Sequence, residues 1–126
     1  MSDTIAAIGA ANLISGEWTP SSSGRTYERY NPWRPAEAVG EFPRSDAEDV
    51  AAAIAAAERA WPAWAKLPAA RRCAFLASAA DAIEARVEEI AQDMTREMGK
   101  PVRESRLEAA RAGAIFRFFA GEGWRP

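Results

Sequence analysis

The sequence predicts an α-rich α+β fold, a small antiparallel β flap followed by three to four helices. Three observations predict it. Short aromatic and β-branched runs separated by Gly, Pro and Ser fill residues 12–43. From Ser45 onward, apolar residues recur at helical spacing, beginning with Val50, Ile54, Ala57 and Trp61. The triplet Gly99-Lys100-Pro101 then divides the helical region, because glycine closes a helix in the left-handed conformation and proline opens the next.

Residues 1–11 read as a loose leader. Asn12 to Trp18 reads as a short strand bent at Gly16, and Pro20-Ser21-Ser22-Ser23-Gly24 as a loop with nothing in it to pack. Thr26 to Tyr30 returns as a second strand, halted by the turn-initiating pair Asn31-Pro32. Trp33-Arg34-Pro35 continues the connection, and Ala38 to Phe42 forms a third strand before Pro43. A flap this small needs a neighbour to be stable.

Ser45-Asp46-Ala47-Glu48 reads as a capping box at the first helix start, with further acids suited to the positive end of the dipole. Pro62 is expected to end that helix, since proline disfavours helical geometry at Trp61. Pro68 opens a second helix whose stripe is Leu76, Ala80, Ile83, Val87 and Ile90, continuing to Met94. Glu84, Glu88 and Glu89 crowd like charge around Arg86, where a kink is expected. The helix after Pro101 carries Leu107, Ala110, Ala114 and Phe118 on one side and Phe116 and Phe119 elsewhere. That pattern suits a helix buried on two sides.

Composition excludes several chemistries. There is no histidine, so Ser-His-Asp and Cys-His nucleophilic sites and most zinc sites are impossible. The single cysteine, Cys73, permits no intrachain disulfide and no Cys-x-x-Cys pair. A net charge of -2 with acids and bases interspersed gives no electrostatic reason to expect nucleic acid. No apolar run approaches a membrane span, and the first residues lack the features of a signal peptide, so a soluble cytoplasmic chain is expected. Leu, Ile, Val and Phe number only 20 of 126 residues, with alanine supplying much of the apolar content. Helix faces this thin suit packing against a larger neighbour.

Cys73 lies beside Arg71 and Arg72, which could lower a thiol pKa, but it has no base to activate it and reads as a packing residue. Gly99-Lys100 follows a helix and precedes proline, so it is a helix stop rather than a phosphate loop. Gly121-Glu122-Gly123 lacks the third glycine and the strand of a dinucleotide fingerprint. Glu88, Glu89, Asp93 and Glu97 read as a solvated face rather than a metal site. The five tryptophans share no period and read as core or interface anchors.

The collinear run from Asn12 to Gly123 resembles the amino-terminal segment of aldehyde dehydrogenases. The matching pieces are Asn12-Leu13-Ile14-x-Gly16-Glu17-Trp18, Gly24, Tyr30-Asn31-Pro32, Val39-Gly40 and Ser45-x-x-x-Asp49-Val50. Ala56-Ala57, Trp64, Arg71, Glu97-x-Gly99-Lys100-Pro101 and Ala120-Gly121 complete the series. The flavour of Met94 to Lys100 is similar to enzymes acting on semialdehydes of dicarboxylic acids, such as α-ketoglutarate semialdehyde. The resemblance implies one domain unit over 1–126: leader 1–11, β flap 12–43 and helices 44–126 of a larger Rossmann-like coenzyme domain. It implies NAD or NADP as cofactor of the parent enzyme, with none bound by this chain alone. It implies as partners the remainder of the enzyme chain or homologous subunits in a homo-oligomer. The family reaction is thiolate attack on an aldehyde, hydride transfer to NAD(P) and thioester hydrolysis. The family's nucleophilic cysteine, general-base glutamate and pyrophosphate-binding turn match nothing here, and Cys73 does not fit the catalytic motif. By motif position, the carbonyl of Tyr30 and the carboxylate of Glu97 would be two ligands of an incomplete monovalent-cation site. Trp33-Arg34-Pro35-Ala36 departs from the glycine-containing turn of many members. The chain is therefore expected to be inactive alone; the alternative is a non-catalytic helical module that binds intact aldehyde dehydrogenase subunits.

Overall fold

The computed structural model describes residues 11–123, and the expected leader falls almost wholly outside them. The chain divides between Pro62 and Ala63 into two compact units. Two antiparallel strand pairs and four helices build the molecule.

In the first unit, β1 (Asn12–Ile14) and β2 (Glu17–Thr19) form a hairpin, pairing Asn12 with Thr19 and Ile14 with Glu17. The single bent strand expected here is therefore corrected to two strands. Ser15 and Gly16 both take positive φ, 56° and 84°, which is what a two-residue turn matched to strand twist requires. The second hairpin joins β3 (Thr26–Asn31) to β4 (Arg34–Pro43), with Pro32 and Trp33 as its loop. β4 begins at Arg34, earlier than the expected Ala38, because Asn31 organises the turn. Its side-chain oxygen accepts from the Trp33 amide at 3.0 Å, and its Nδ2 donates to Glu37 at 3.1 Å. The register shifts on either side of Tyr30 accommodate the extra residues of β4.

α1 (Ala47–Lys66) starts one residue away from the expected box. Asp46, not Ser45, caps it: Asp46 Oδ1 accepts from the Glu48 amide at 3.0 Å, and Asp49 Oδ2 accepts from the Asp46 amide at 3.0 Å. Ser45 instead donates to Asn12 Oδ1. The same two carboxylates hold the serine loop, with the Ser22 amide on Asp49 Oδ1 at 2.8 Å and the Ser22 hydroxyl on Asp46 Oδ1 at 3.1 Å. Ser21 is buried and donates to the Arg25 carbonyl, so the loop expected to pack on nothing is a docked element. Hydrogen bonds donated to it, by the Glu48 amide first and the Ser22 hydroxyl second, hold the Asp46 carboxyl below its ordinary range. Asp49 is buried with both oxygens engaged. Asp49→Ala therefore strands the amides of Ser22 and Asp46 and is expected to cost about 1–3 kcal/mol. Thermal melts of the two proteins check this, and an unchanged midpoint would contradict the double role of Asp49.

Pro62 lies inside α1 rather than ending it. Its fixed φ is itself helical, so the ring removes one hydrogen bond without forcing the chain out of the helix. The last turn is held by Trp64, whose ring lies 5.6 Å from that of Phe75. Val50, Ile54 and Trp61, read as sharing one helix face, are all more than half exposed, and the buried residue of α1 is Asp49.

The second unit packs α2 (Ala69–Ala85) and α3 (Val87–Met98) against α4 (Val102–Glu122). Arg86, at φ −119° and ψ 17°, separates α2 from α3, which turns the expected kink into a helix break. Like charge does not cause it, since each glutamate there has its own cation. Arg86 binds Glu89 at 2.8 Å, Arg106 binds Glu88 at 2.6 Å, and Arg117 binds Glu84 at 3.0 Å. Gly99 closes α3 at φ 75°, as expected, donating its amide to Thr95. The interior of this unit is made of small residues: Cys73, Ala80, Ala91, Ser105, Ala109 and Gly113. Ser105 is fully buried and its hydroxyl bonds that of Thr95 at 2.9 Å. The buried side of α4 is thus Ser105, Ala109 and Gly113, while Leu107 and Phe118 are exposed. Helices approach closely where side chains are small, and large side chains cannot enter that seam. A Cβ on Gly113 would lie 2.9 Å from Glu84 Cγ.

Candidate functional site

Cys73 is buried in the α2–α4 seam, where a Cβ on Gly123 would fall 2.3 Å from its sulfur. It is a packing residue in a position no aldehyde could reach. Among the described residues, no cluster of three or more Asp, Glu or Cys side chains could hold a metal ion. The acids considered on α3 are spent on cations: Glu88 on Arg106, Glu89 on Arg86, and Asp93 within 4.0 Å of Arg96.

Tyr30 lies on β3, half exposed, and its hydroxyl donates to Glu28. That hydrogen bond, together with the charge of Glu28, raises the phenol above its ordinary pKa. Tyr30 sits where the β3–β4 register shifts, an irregularity that can turn a carbonyl away from the ladder. Glu97 is exposed in the last turn of α3, two residues before Gly99. The two residues belong to separate units.

The helix starts decide what a dinucleotide would find. A pyrophosphate needs free amides at a glycine-rich turn entering a helix. At the start of α1 the Glu48 amide is taken by Asp46, whereas α2 and α4 follow Pro68 and Pro101 with no side chain capping their first amides. Gly121 and Gly123 stand at the end of α4, not at a helix start.

Two apolar surfaces remain. A groove of about 620 Å³ runs between the β1–β2 hairpin and α1, lined by Leu13, Ile14, Ala53, Ala56 and Ala60. In the second unit, Leu76, Ile115, Phe116 and Phe119 form a wholly apolar hollow of about 310 Å³. Trp18, Trp33 and Trp61 are each more than 60% exposed, so they are not core residues; Trp124 lies outside the described residues.

Residues 18–125 match the model of the aldehyde dehydrogenase family. The chain belongs to that family. It is 47% identical over 114 residues to the α-ketoglutaric semialdehyde dehydrogenase of Bacillus subtilis, covering 90% of this chain and 23% of that enzyme. It is 35% identical over 113 residues to the NADP(+) succinate-semialdehyde dehydrogenase of Escherichia coli, again covering 90% of this chain and 23% of the other. Among solved structures, an NAD-dependent aldehyde dehydrogenase from Sinorhizobium meliloti superposes with a TM-score of 0.84 at 35% identity. That match covers 87% of this chain and 22% of the other. The chain therefore spans about a quarter of the aldehyde dehydrogenases it matches. Its hairpins and helices are elements of the Rossmann-like aldehyde dehydrogenase architecture.

The family motifs were legible as sequence, but the polar lock between Ser22, Asp46 and Asp49 was not. Its one signal was the spacing Asp46-x-x-Asp49, which satisfies a reciprocal cap as well as Ser45-x-x-Glu48 does.

Proposed function

We propose that these residues form the amino-terminal part of the coenzyme-binding domain of an NAD(P)-dependent aldehyde dehydrogenase. That enzyme oxidises the semialdehyde of a dicarboxylic acid to the acid, and this chain alone is inactive. The observation that carries the reading is 47% identity with an enzyme named for such a semialdehyde. Inactivity follows from the chemistry of the residues, which offer one buried cysteine and no histidine. The exposed faces of α1 and α4 then pack on the remainder of the enzyme chain or on homologous subunits of a homo-oligomer. The Tyr30 carbonyl and Glu97 carboxylate supply two oxygen donors of a monovalent-cation site completed elsewhere in the enzyme. Oxygen donors suit such hard cations. The setting is cytoplasmic, and no described helix is long and apolar enough to cross a membrane. An assay of NAD(P) reduction with succinate semialdehyde is expected to give background rates for the 126-residue chain. Turnover above background would refute the inactivity.

The exposure of Leu107, Phe118 and Phe119 on α4 favours a second reading, a non-catalytic module that docks on intact aldehyde dehydrogenase subunits. Co-elution of this chain with a full-length relative in size-exclusion chromatography would support it, and separate elution would remove it.

A further inference from the structure

We propose that the amino-terminal leader, residues 1–10, is the occupant of the groove between the β1–β2 hairpin and α1. The groove lies wholly within the first unit. Leu13 and Ile14 line it on one side, and Ala53, Ala56 and Ala60 on the other. Those alanines fall at steps of three and four, about a quarter turn around α1 from Ile54 and Trp61. The groove is therefore a different side of the helix from its exposed large residues. A second hollow of about 220 Å³ continues it toward the start of α1, sharing Leu13, Ile14 and Ala53 and ending at Asn12 and Asp49.

The two ends of this surface differ in chemistry. Arg59 is the one charged side chain lining the larger groove. At the other end, Asn12 Nδ2 is enclosed and finds no acceptor among the described residues, while Asn12 Oδ1 already accepts from Ser45. An apolar segment that brings a carbonyl oxygen to Asn12 and an acid to Arg59 satisfies the groove and both ends. The leader carries these features in that order. Reading back from Asn12, Gly9 allows the chain to reverse, Ile8 and Ile5 supply branched apolar side chains, and Asp3 is the only charged side chain of residues 1–11. From Asp49 to Ala60 α1 runs about 17 Å, and ten extended residues reach about 33 Å, which leaves length for the reversal. The leader is also joined to β1 beside the groove. It therefore competes at an effective concentration on the order of millimolar, without the loss of freedom that a separate chain incurs on binding.

Hydrogen exchange of the full 126-residue chain, read by mass spectrometry, tests the assignment. The amides of residues 5–8 are expected to exchange about tenfold or more slowly than in an Ile5→Asp/Ile8→Asp variant, as burial of even one isoleucine implies. The charge reversal is a milder arm that spares the apolar contacts. Arg59→Glu should speed exchange of the same amides, and adding Asp3→Arg should slow it again. Leader amides that exchange freely in the unaltered chain, or that ignore both sets of substitutions, would overturn the proposal. So would slow exchange along β1 and α1 that persists when residues 2–9 are replaced by glycine and serine, which would assign the groove to a second copy of the chain.

Discussion

Ala109→Leu is expected to destabilise the helical unit by about 3 kcal/mol and to lower its melting midpoint by on the order of 10–20 °C. Ala109 is 2% exposed, between the fully buried Ser105 and the buried Gly113 on the same side of α4. A leucine there adds three carbons where the neighbouring helices meet on small side chains. Relief would require α4 to move outward, which would also stretch the Thr95–Ser105 hydrogen bond of 2.9 Å. Leu107→Ala, two residues away, is the control. Leu107 is 68% exposed, and its loss should change stability by no more than about 0.5 kcal/mol. Hydrophobicity alone ranks the two substitutions in the opposite order. Circular dichroism melts of both variants decide it, and an Ala109→Leu midpoint equal to the parent would refute the small-residue seam.

The same reversal explains what the sequence could not disclose. Periodicity located the helical segments but ran α2 and α3 together as one kinked helix, while Gly99 and Pro101 closed and opened helices as their conformations dictate. Periodicity does not say which of two competing faces is inward when alanines, serines and glycines share the helix with Leu and Phe. On α1 and α4 the larger stripe faced out, because the packed side is selected by close approach rather than by side-chain area. On α2 the stripe through Leu76, Ala80 and Ile83 did point inward, Ala80 fully and the other two in part. Pro62 misled for a related reason. Its fixed φ is compatible with a helix, so the rule that proline ends a helix failed here, and the turn that follows is met by Trp64 on Phe75. The site was legible only as motif. Tyr30-Asn31-Pro32 and Glu97-x-Gly99-Lys100 are visible in one dimension.

Acidification is expected to dissolve the helical unit between about pH 4.5 and pH 2, and the sign follows from its glutamates. Hydrogen bonds from Arg106, then Gln92, bring Glu88 down to about 2 from an ordinary 4.5. Arg117 lowers Glu84 and Arg86 lowers Glu89, in each case chiefly through the side-chain hydrogen bond. A carboxyl whose pKa is depressed in the folded state takes up its proton there less readily than in the unfolded chain. Each pairing therefore contributes its full stability above pH 4.5, and loses it progressively as the pH falls through the folded value. All three glutamates are largely solvent-exposed, so each pair alone is weak and salt-screened. Two of them, however, tie α4 to α2 and α3, where the buried surface is mostly alanine and glycine and offers little in reserve. Melts recorded near neutral pH, near pH 4 and near pH 2 should show the midpoint falling most steeply over the last interval. Glu88→Gln should lower the neutral-pH midpoint and flatten that final fall, because the depressed Glu88 carboxyl no longer titrates. A variant whose midpoint tracks the parent at every pH would show that the Arg106–Glu88 pair does not hold α4 to α3.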